Sequence, residues 1–462
     1  MTGTRPEVES GRFWRVPSAA PFVTTGTYPT RDGNRVVPWI DGEPAFRRIC
    51  ECIDAAERSV WVTIAFMWPS FRMPDRHGSA LDVLQRAAAR GLDVRLLCWR
   101  PDDETAPLRT NAFWGSGAHR ALLAERHAQL AVRWDRAQPG FCQHQKTWLL
   151  DGDTAFVGGI NLNPHSVVAP GHAQGAAPQN HDVYVEVVGP AVADVHHNFV
   201  QRWNEASERT RDDGRCGPGA DETLPFPTHV PPPRGDARAQ IQRTTHAGRY
   251  TDDHAPPGAP SFAIARGERT NLDQYLAAIA AARRTIYLEQ QFVDVLEILD
   301  ALDAALARGV QVVAVLPGEP HYATPERPEV TAAGARRARL ARWEQFARCG
   351  LARRTPKGAR EPIHVHSKLM LVDDEWATIG SCNLHRYSLF GNGEMNVAFC
   401  DVATVRALRV ALFREHLDAD TSGLTDADAL RRFRAVAREN RRRHDVGEMA
   451  WQGLAFELDV RG

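Results

Sequence analysis

His144-Gln145-Lys146-Thr147-Trp148-Leu149-Leu150-Asp151 recurs, 222 residues further on, as His366-Ser367-Lys368-Leu369-Met370-Leu371-Val372-Asp373. Each stretch opens with an imidazole and an ammonium two residues apart, runs into apolar residues and closes on Asp. The chain has 56 Lys and Arg, yet only three are Lys: Lys146, Lys357 and Lys368. Arg presents a planar fork and Lys a compact point charge, so a chain that otherwise writes its cations as Arg needs the point charge at these two positions. In an extended segment residues i and i+2 share a face, so His144 projects with Lys146, and His366 with Lys368. The apolar run after each Lys suits a buried strand. Each Asp, five residues beyond its Lys, falls at the strand end and points away from the pair.

A longer repeat surrounds these stretches. Arg58-Ser59-Val60-Trp61-Val62-Thr63-Ile64 reads as a strand, residues 80–89 as a helix, and Leu92-Asp93-Val94-Arg95-Leu96-Leu97 after Gly91 as the next strand. In the second half Thr285-Ile286-Tyr287-Leu288-Glu289-Gln290, residues 296–307 and the run after Gly309 repeat that order, with each Gly ending its helix. Gly158-Gly159 and Gly380-Ser381 follow the two motifs, and His144 to Asn161 and His366 to Asn383 are both 17 residues. Residues 205–238, rich in Pro and Gly, read as a linker. The expected organisation is a leader over 1–38, a first lobe over 39–204, the linker, a second lobe over 239–417 and a helical tail over 418–462. Residues 165–180, 248–267 and 318–329 are long irregular stretches of the kind that form binding loops.

With 462 residues the chain exceeds one ordinary core, and its net charge of −1 disfavours a nucleic-acid partner held by phosphate neutralisation. The eight cysteines have no paired spacing and read as free thiols. No apolar run reaches the roughly 18 residues of a membrane span, and no secretory signal is visible. A cytoplasmic or peripheral membrane location follows as the expectation, with non-classical export left open. The arginine-rich segment 431–444 is readable either as a lipid-docking face or as a solvated one.

If the two halves pack about a pseudo-two-fold axis, their motifs supply two imidazoles, two ammoniums and the amides of Asn161 and Asn383. Few hard oxygen donors are present, so the set needs neither metal nor cofactor. It suits a phosphodiester: the lysines neutralise the nonbridging oxygens, one His attacks phosphorus and the other protonates the leaving oxygen. Each His needs a partner on its other ring nitrogen, and Asp182 and Glu394, which open strand-like runs, are the candidates.

These residues resemble the phospholipase D superfamily, with its duplicated HxKxxxxD motif followed by GG or GS and Asn. The likeness extends to Val188-Gly189-Pro190-Ala191 with Asn198-Phe199-Val200-Gln201-Arg202-Trp203-Asn204, to Ile286-Tyr287-Leu288-Glu289-Gln290-Gln291-Phe292, to Ile363-His364-Val365 before the second motif, and to Leu412-Phe413-Arg414-Glu415-His416-Leu417. It is nearest to the eukaryotic-type enzymes, without room for their C2, PX or PH modules. The resemblance implies an α/β fold of two fused αβαβα lobes with the active site at their interface. It implies a catalytic set of His144, Lys146, Asp151, His366, Lys368 and Asp373, with His144 the nucleophile and His366 the acid; for Asp151 and Asp373 a purely structural hydrogen-bonding role stands beside this. Lys146, Asn161, Lys368 and Asn383 would bind the phosphate, and Asp182 and Glu394 would orient the histidines. The implied reaction is hydrolysis of phosphatidylcholine-type lipid to phosphatidic acid, or phosphatidyl transfer to alcohols, at a membrane surface with water or an alcohol as acceptor. Gln143 and His364 depart from the usual residues; His364 faces the same side as His366. The alternatives are a superfamily nuclease, a cardiolipin synthase-like transferase, for which N-terminal membrane helices would be expected, and an inactive lipid-binding protein.

Overall fold

Strand Ser59–Ile64 shows how the molecule is layered. Val60, Val62 and Ile64 pack outward with helices Gly42–Ala55 and Ala80–Ala89, while Trp61 enters a second core on the other face. This is the period-two alternation of a strand buried on both sides. In the computed structural model residues 21–458 are described, apart from 174, 176–177 and 319–327. The expected loop over 318–329 thus lies largely outside the described residues.

The first sheet runs Arg31–Ile40, Val183–Val188, Thr154–Gly158, Thr147–Leu150, Ser59–Ile64, Asp93–Trp99, Ala131–Asp135. The second runs Ala237–Thr245, Glu394–Cys400, Trp376–Gly380, Lys368–Val372, Thr285–Gln290, Gln311–Val315, Phe346–Arg354. In both, the last three strands are parallel to one another and the rest antiparallel. Parallel neighbours require crossovers, supplied by helices Ala80–Ala89 and Leu296–Ala307. Gly91 and Gly309 end them at φ of 92° and 91°, a left-handed turn that a side chain would strain. The sheets meet edge to edge where Arg31 and Asn34 pair with Ala239 and Ala237.

Between the sheets lie helices Val192–Asn204 and Val402–Leu417, and one core joins Leu149, Val157, Val185 and Phe199 to Leu369, Ile379, Val397 and Phe413. Helices Thr270–Ala281 and Leu296–Ala307 cover the outer face of the second sheet. The result is the expected αβαβα arrangement of two fused lobes.

Three segments sit differently from expectation. Strand Arg31–Ile40 falls almost wholly within the presumed leader; its polar Arg31-Asp32-Gly33-Asn34 start and Pro38 hide a strand at the seam between the sheets. The linker is laid down on the first lobe, with Arg215–Cys216 paired to Val132 and Arg133. Helix Asp426–Asp445 buries Leu430, Phe433, Val436 and Ala437 in the shared core, and Ala455–Glu457 adds to strand Phe346–Arg354, so the tail completes the second lobe. The tail's outward arginines pair within reach: Arg442 and Arg443 with Glu439, and Arg441 with Asp445. This suits the solvated reading of that face. No helix among the described residues is long and apolar enough to cross a membrane.

Candidate active site

The His-to-Asp stretches do not form single continuous sheet strands. The sheet ladders begin at Thr147 and Lys368, and both histidines precede them. At each His the chain changes partner: His144 N–H donates to the Gly393 carbonyl, and His366 N–H to that of His181, both at 2.8 Å. Each partner belongs to the opposite lobe. The exchange sets each imidazole beside the other lobe's carboxylate. His144 Nδ1 lies 2.9 Å from Glu394 Oε2, and His366 Nδ1 2.6 Å from Asp182 Oδ2. Nε2 of each ring is thereby left for chemistry.

Lys146 Nζ donates to the His144 carbonyl at 2.7 Å, and Lys368 Nζ to that of His366. Both lysines are buried, and desolvation lowers them to about 8 and about 7. An arriving phosphate anion would favour their charged forms. Charge on Lys368 acts on His144, and charge on Lys146 and His144 acts on His366, so the two motifs share one electrostatic environment. Asn161 and Asn383 are buried in the turns after Thr154–Gly158 and Trp376–Gly380, and their Oδ1 atoms have no hydrogen-bond partner among the described residues. Lys146 and Asn161 line one small cavity with Phe66, Trp148 and Tyr184.

The orienting carboxylates are not equivalent. Glu394 accepts from the Ser381 and Ser388 hydroxyls, each at 2.6 Å, and from Asn392 Nδ2 at 3.3 Å. Burial opposes its ionisation, but His144, Lys146 and Ser381 outweigh burial and hold it below the usual Glu range. Asp182 has the Val183 N–H at 2.8 Å, and burial, only partly offset by Lys368, lifts it to about 7. Its approach depends on Gly159, where an added Cβ would stand 2.4 Å from Asp182 Oδ1. Burial lowers both imidazoles, His366 well below the ordinary value with Lys368 and His364 adding to the effect. The His364 ring centre is 5.8 Å from that of His366, on the expected side.

Asp151 and Asp373 are not brought into this cluster. Each lies at the far end of its motif strand, about 16 Å along from Lys at the usual strand rise. Asp151 accepts the N–H groups of Glu57, Arg58 and Ser59 at 2.7–2.9 Å. Asp373 does the same for Arg283, Arg284 and Thr285 at 2.8–2.9 Å. These bonds secure the start of the neighbouring strand, so a share in the chemistry has no geometric basis. Ser381, Ser388, Asn392 and Gly159 were not singled out for their carboxylate contacts; only the Gly-Gly and Gly-Ser pairs hinted at two of them.

The family described as "Cardiolipin synthase, PLD-like domain" matches residues 49–203 and 275–415. The chain belongs to the phospholipase D superfamily. Its relatives include a cardiolipin synthase of Listeria monocytogenes serotype 4b, 23% identical over 404 residues and covering 86% of this chain and 71% of that protein. Cardiolipin synthase A of Pseudomonas entomophila is 27% identical over 390 residues, covering 82% and 67%. The crystal structure of a Haemophilus influenzae phosphatidylserine synthase shares the fold, at TM-score 0.52 and 12% identity over 80% of this chain and 83% of that one. The Listeria and Pseudomonas relatives carry the name of cardiolipin synthases, the alternative set beside phosphatidylcholine-type hydrolysis and transfer to alcohols in the sequence reading.

Proposed function

We propose that the protein is a phosphatidyltransferase, moving a phosphatidyl group from one phospholipid to an alcohol, the reaction class of the cardiolipin synthases it resembles. The observation that carries this reading is the crossed pairing of His144 with Glu394 and His366 with Asp182 around two buried lysines. Lys146 and Lys368 neutralise the phosphodiester oxygens, with the Asn161 and Asn383 amides beside them. Neutral His144, its Nδ1–H held by Glu394, attacks phosphorus through Nε2 as the bond to the leaving alkoxide breaks. The Asp182–His366 pair carries one proton near neutral pH and delivers it to that oxygen from His366 Nε2. His366 then takes the proton of the incoming hydroxyl, whose oxygen attacks phosphorus and displaces His144. Water in that second step gives phosphatidic acid instead, so the acceptor decides between transfer and hydrolysis.

The test is incubation of purified protein with phosphatidylglycerol vesicles, with and without a short primary alcohol, and product identification by mass. Cardiolipin, or the phosphatidyl-alcohol, supports transfer. Phosphatidic acid alone in both arms makes the protein a hydrolase, and unchanged lipid removes the proposal.

A further inference from the structure

Behind Asp182 lies a second, fully internal group of polar side chains that the proposed reaction does not use. It draws Asp41 from the start of helix Gly42–Ala55, His172 from the irregular 165–180 stretch, His181 from the segment beside Asp182, and Glu415 from helix Val402–Leu417. Three come from the first lobe and one from the second. Side-chain exposures are 0% for Asp41, His172 and His181, and 3% for Glu415.

We propose that Asp41, His172, His181 and Glu415 form a buried site for one divalent transition-metal ion of the Zn²⁺ class. The spacing is the first argument. His172 Nε2 is 3.3 Å from Asp41 Oδ2 and 3.4 Å from Glu415 Oε1, and His181 Nδ1 is 3.0 Å from Asp41 Oδ1 and 3.8 Å from Glu415 Oε1. One ligand atom from each of the four lies within 4.8 Å of the others, a group that closes onto the edges of about 3.3 Å of a tetrahedral ion with bonds of about 2.05 Å when Asp41 turns a single oxygen inward. The second argument is direction. The His172 Nε2 and His181 Nδ1 atoms that face Asp41 touch its carboxylate yet make no well-aligned hydrogen bond among the described residues, and neither does Asp41 Oδ2. Ring nitrogens sharing protons with carboxylates would aim along those lines. Ligands of a central ion aim at the centre instead, about 35° away from each neighbour in a tetrahedron.

The outer contacts agree. His181 Nε2 is 3.0 Å from Glu289 Oε2, and His172 Nδ1 is 3.0 Å from Gln179 Oε1. An N–H donated outward from each ring fixes the tautomer that turns a lone pair inward, the usual support of a metal-bound His. Two carboxylate ligands balance a divalent charge without leaving the buried site ionic overall. Asp41 and His172 also hold left-handed backbone at φ of 62° and 52°, a conformation that other contacts must maintain. The pseudo-symmetric position to His181 is Gly393, so the other half of the molecule has no counterpart. The ion would brace the His181-Asp182 segment against the second lobe. This inference stands apart from the proposed reaction.

Elemental analysis of tag-free protein, and of protein stripped with chelator and reloaded with Zn²⁺ or Co²⁺, tests it. About one ion per chain is expected, with intense visible Co²⁺ bands of a tetrahedral site and a Tm several degrees higher on Zn²⁺ addition. His172→Ala and Glu415→Gln should each lose the stoichiometric ion and the Tm rise, while the double variant His144→Ala/His366→Ala keeps both. Wild-type protein that takes up no stoichiometric metal overturns the proposal without any variant. So does retention of the ion in His172→Ala and Glu415→Gln, or its loss in the His144/His366 variant, which would place it at the active pair.

Discussion

Gly159 leaves the space through which Asp182 reaches His366. Its missing Cβ leaves room for Asp182, so Gly159→Ala should push the carboxylate off His366 Nδ1. A loss of kcat on the order of 10²-fold, with the fold intact by circular dichroism, is expected; wild-type kcat in that variant would show that Asp182 does not position the ring. His144→Ala should abolish a phosphorylated enzyme intermediate trapped from labelled lipid, and a label that persists moves the nucleophile elsewhere. The lysines predict a pH dependence. In the empty site they are cationic below about 7 and neutral above about 8. Phosphate binding then requires proton uptake, so KM should climb with pH above about 7 as Lys368 loses its proton and more steeply above about 8, by up to about tenfold per unit for each lysine, with kcat at saturation changing less. A KM flat from pH 6 to about 9 would contradict that linkage. The residues that the fold gathers were largely legible: His144, Lys146, His366 and Lys368 stand out because the chain avoids Lys elsewhere and sets the two motifs in matching surroundings.

Among the elements, the two motif strands are anchored by Asp at one end and carry the candidate site at the other. Asp151 stabilises the turn into Ser59–Ile64 by accepting three backbone donors, and it does so best ionised. Burial opposes that ionisation, but the Glu57, Ser59 and Arg58 amides outweigh it and lower the carboxyl. A lowered carboxyl stabilises the fold above the unfolded-state value and loses that contribution as pH falls through the folded one. Asp151→Ala should therefore cost about 1–3 kcal/mol near neutral pH, less below about pH 4, with kcat of the folded fraction nearly unchanged. A kcat loss out of proportion to unfolding would return Asp151 to the chemistry. The motif strands, both crossover helices and their terminal glycines were readable from hydrophobic period and Gly placement. Strand Arg31–Ile40 was not, because its polar start and Pro38 contradict the pattern that tertiary pairing imposes. The break before each motif strand was also hidden, since an extended chain reads the same whichever lobe it bonds to.

For the whole molecule, the crossed pairing makes neither lobe sufficient: the imidazole of each is completed by a carboxylate of the other. The lobes share an apolar core running from Leu149 and Val185 to Leu369 and Val397. Cutting the chain at an engineered site within residues 225–234 should leave the halves bound together and active, whereas either half expressed alone exposes that face and aggregates. Size-exclusion chromatography with lipid assay checks this, and an active isolated half would refute the shared site. By itself the sequence determined that there are two copies of one αβ unit and that each carries an imidazole and an ammonium two residues apart at the start of a buried strand. Periodicity and spacing are local properties and survive in one dimension. Only the tertiary structure decided that Glu394 meets His144 and Asp182 meets His366, that Asp151 and Asp373 hold the backbone of neighbouring strands, and that His181 gathers Asp41, His172 and Glu415 around it. Those partners lie up to 250 residues apart along the chain, and contact at that separation is set by how two sheets pack, which no local pattern records.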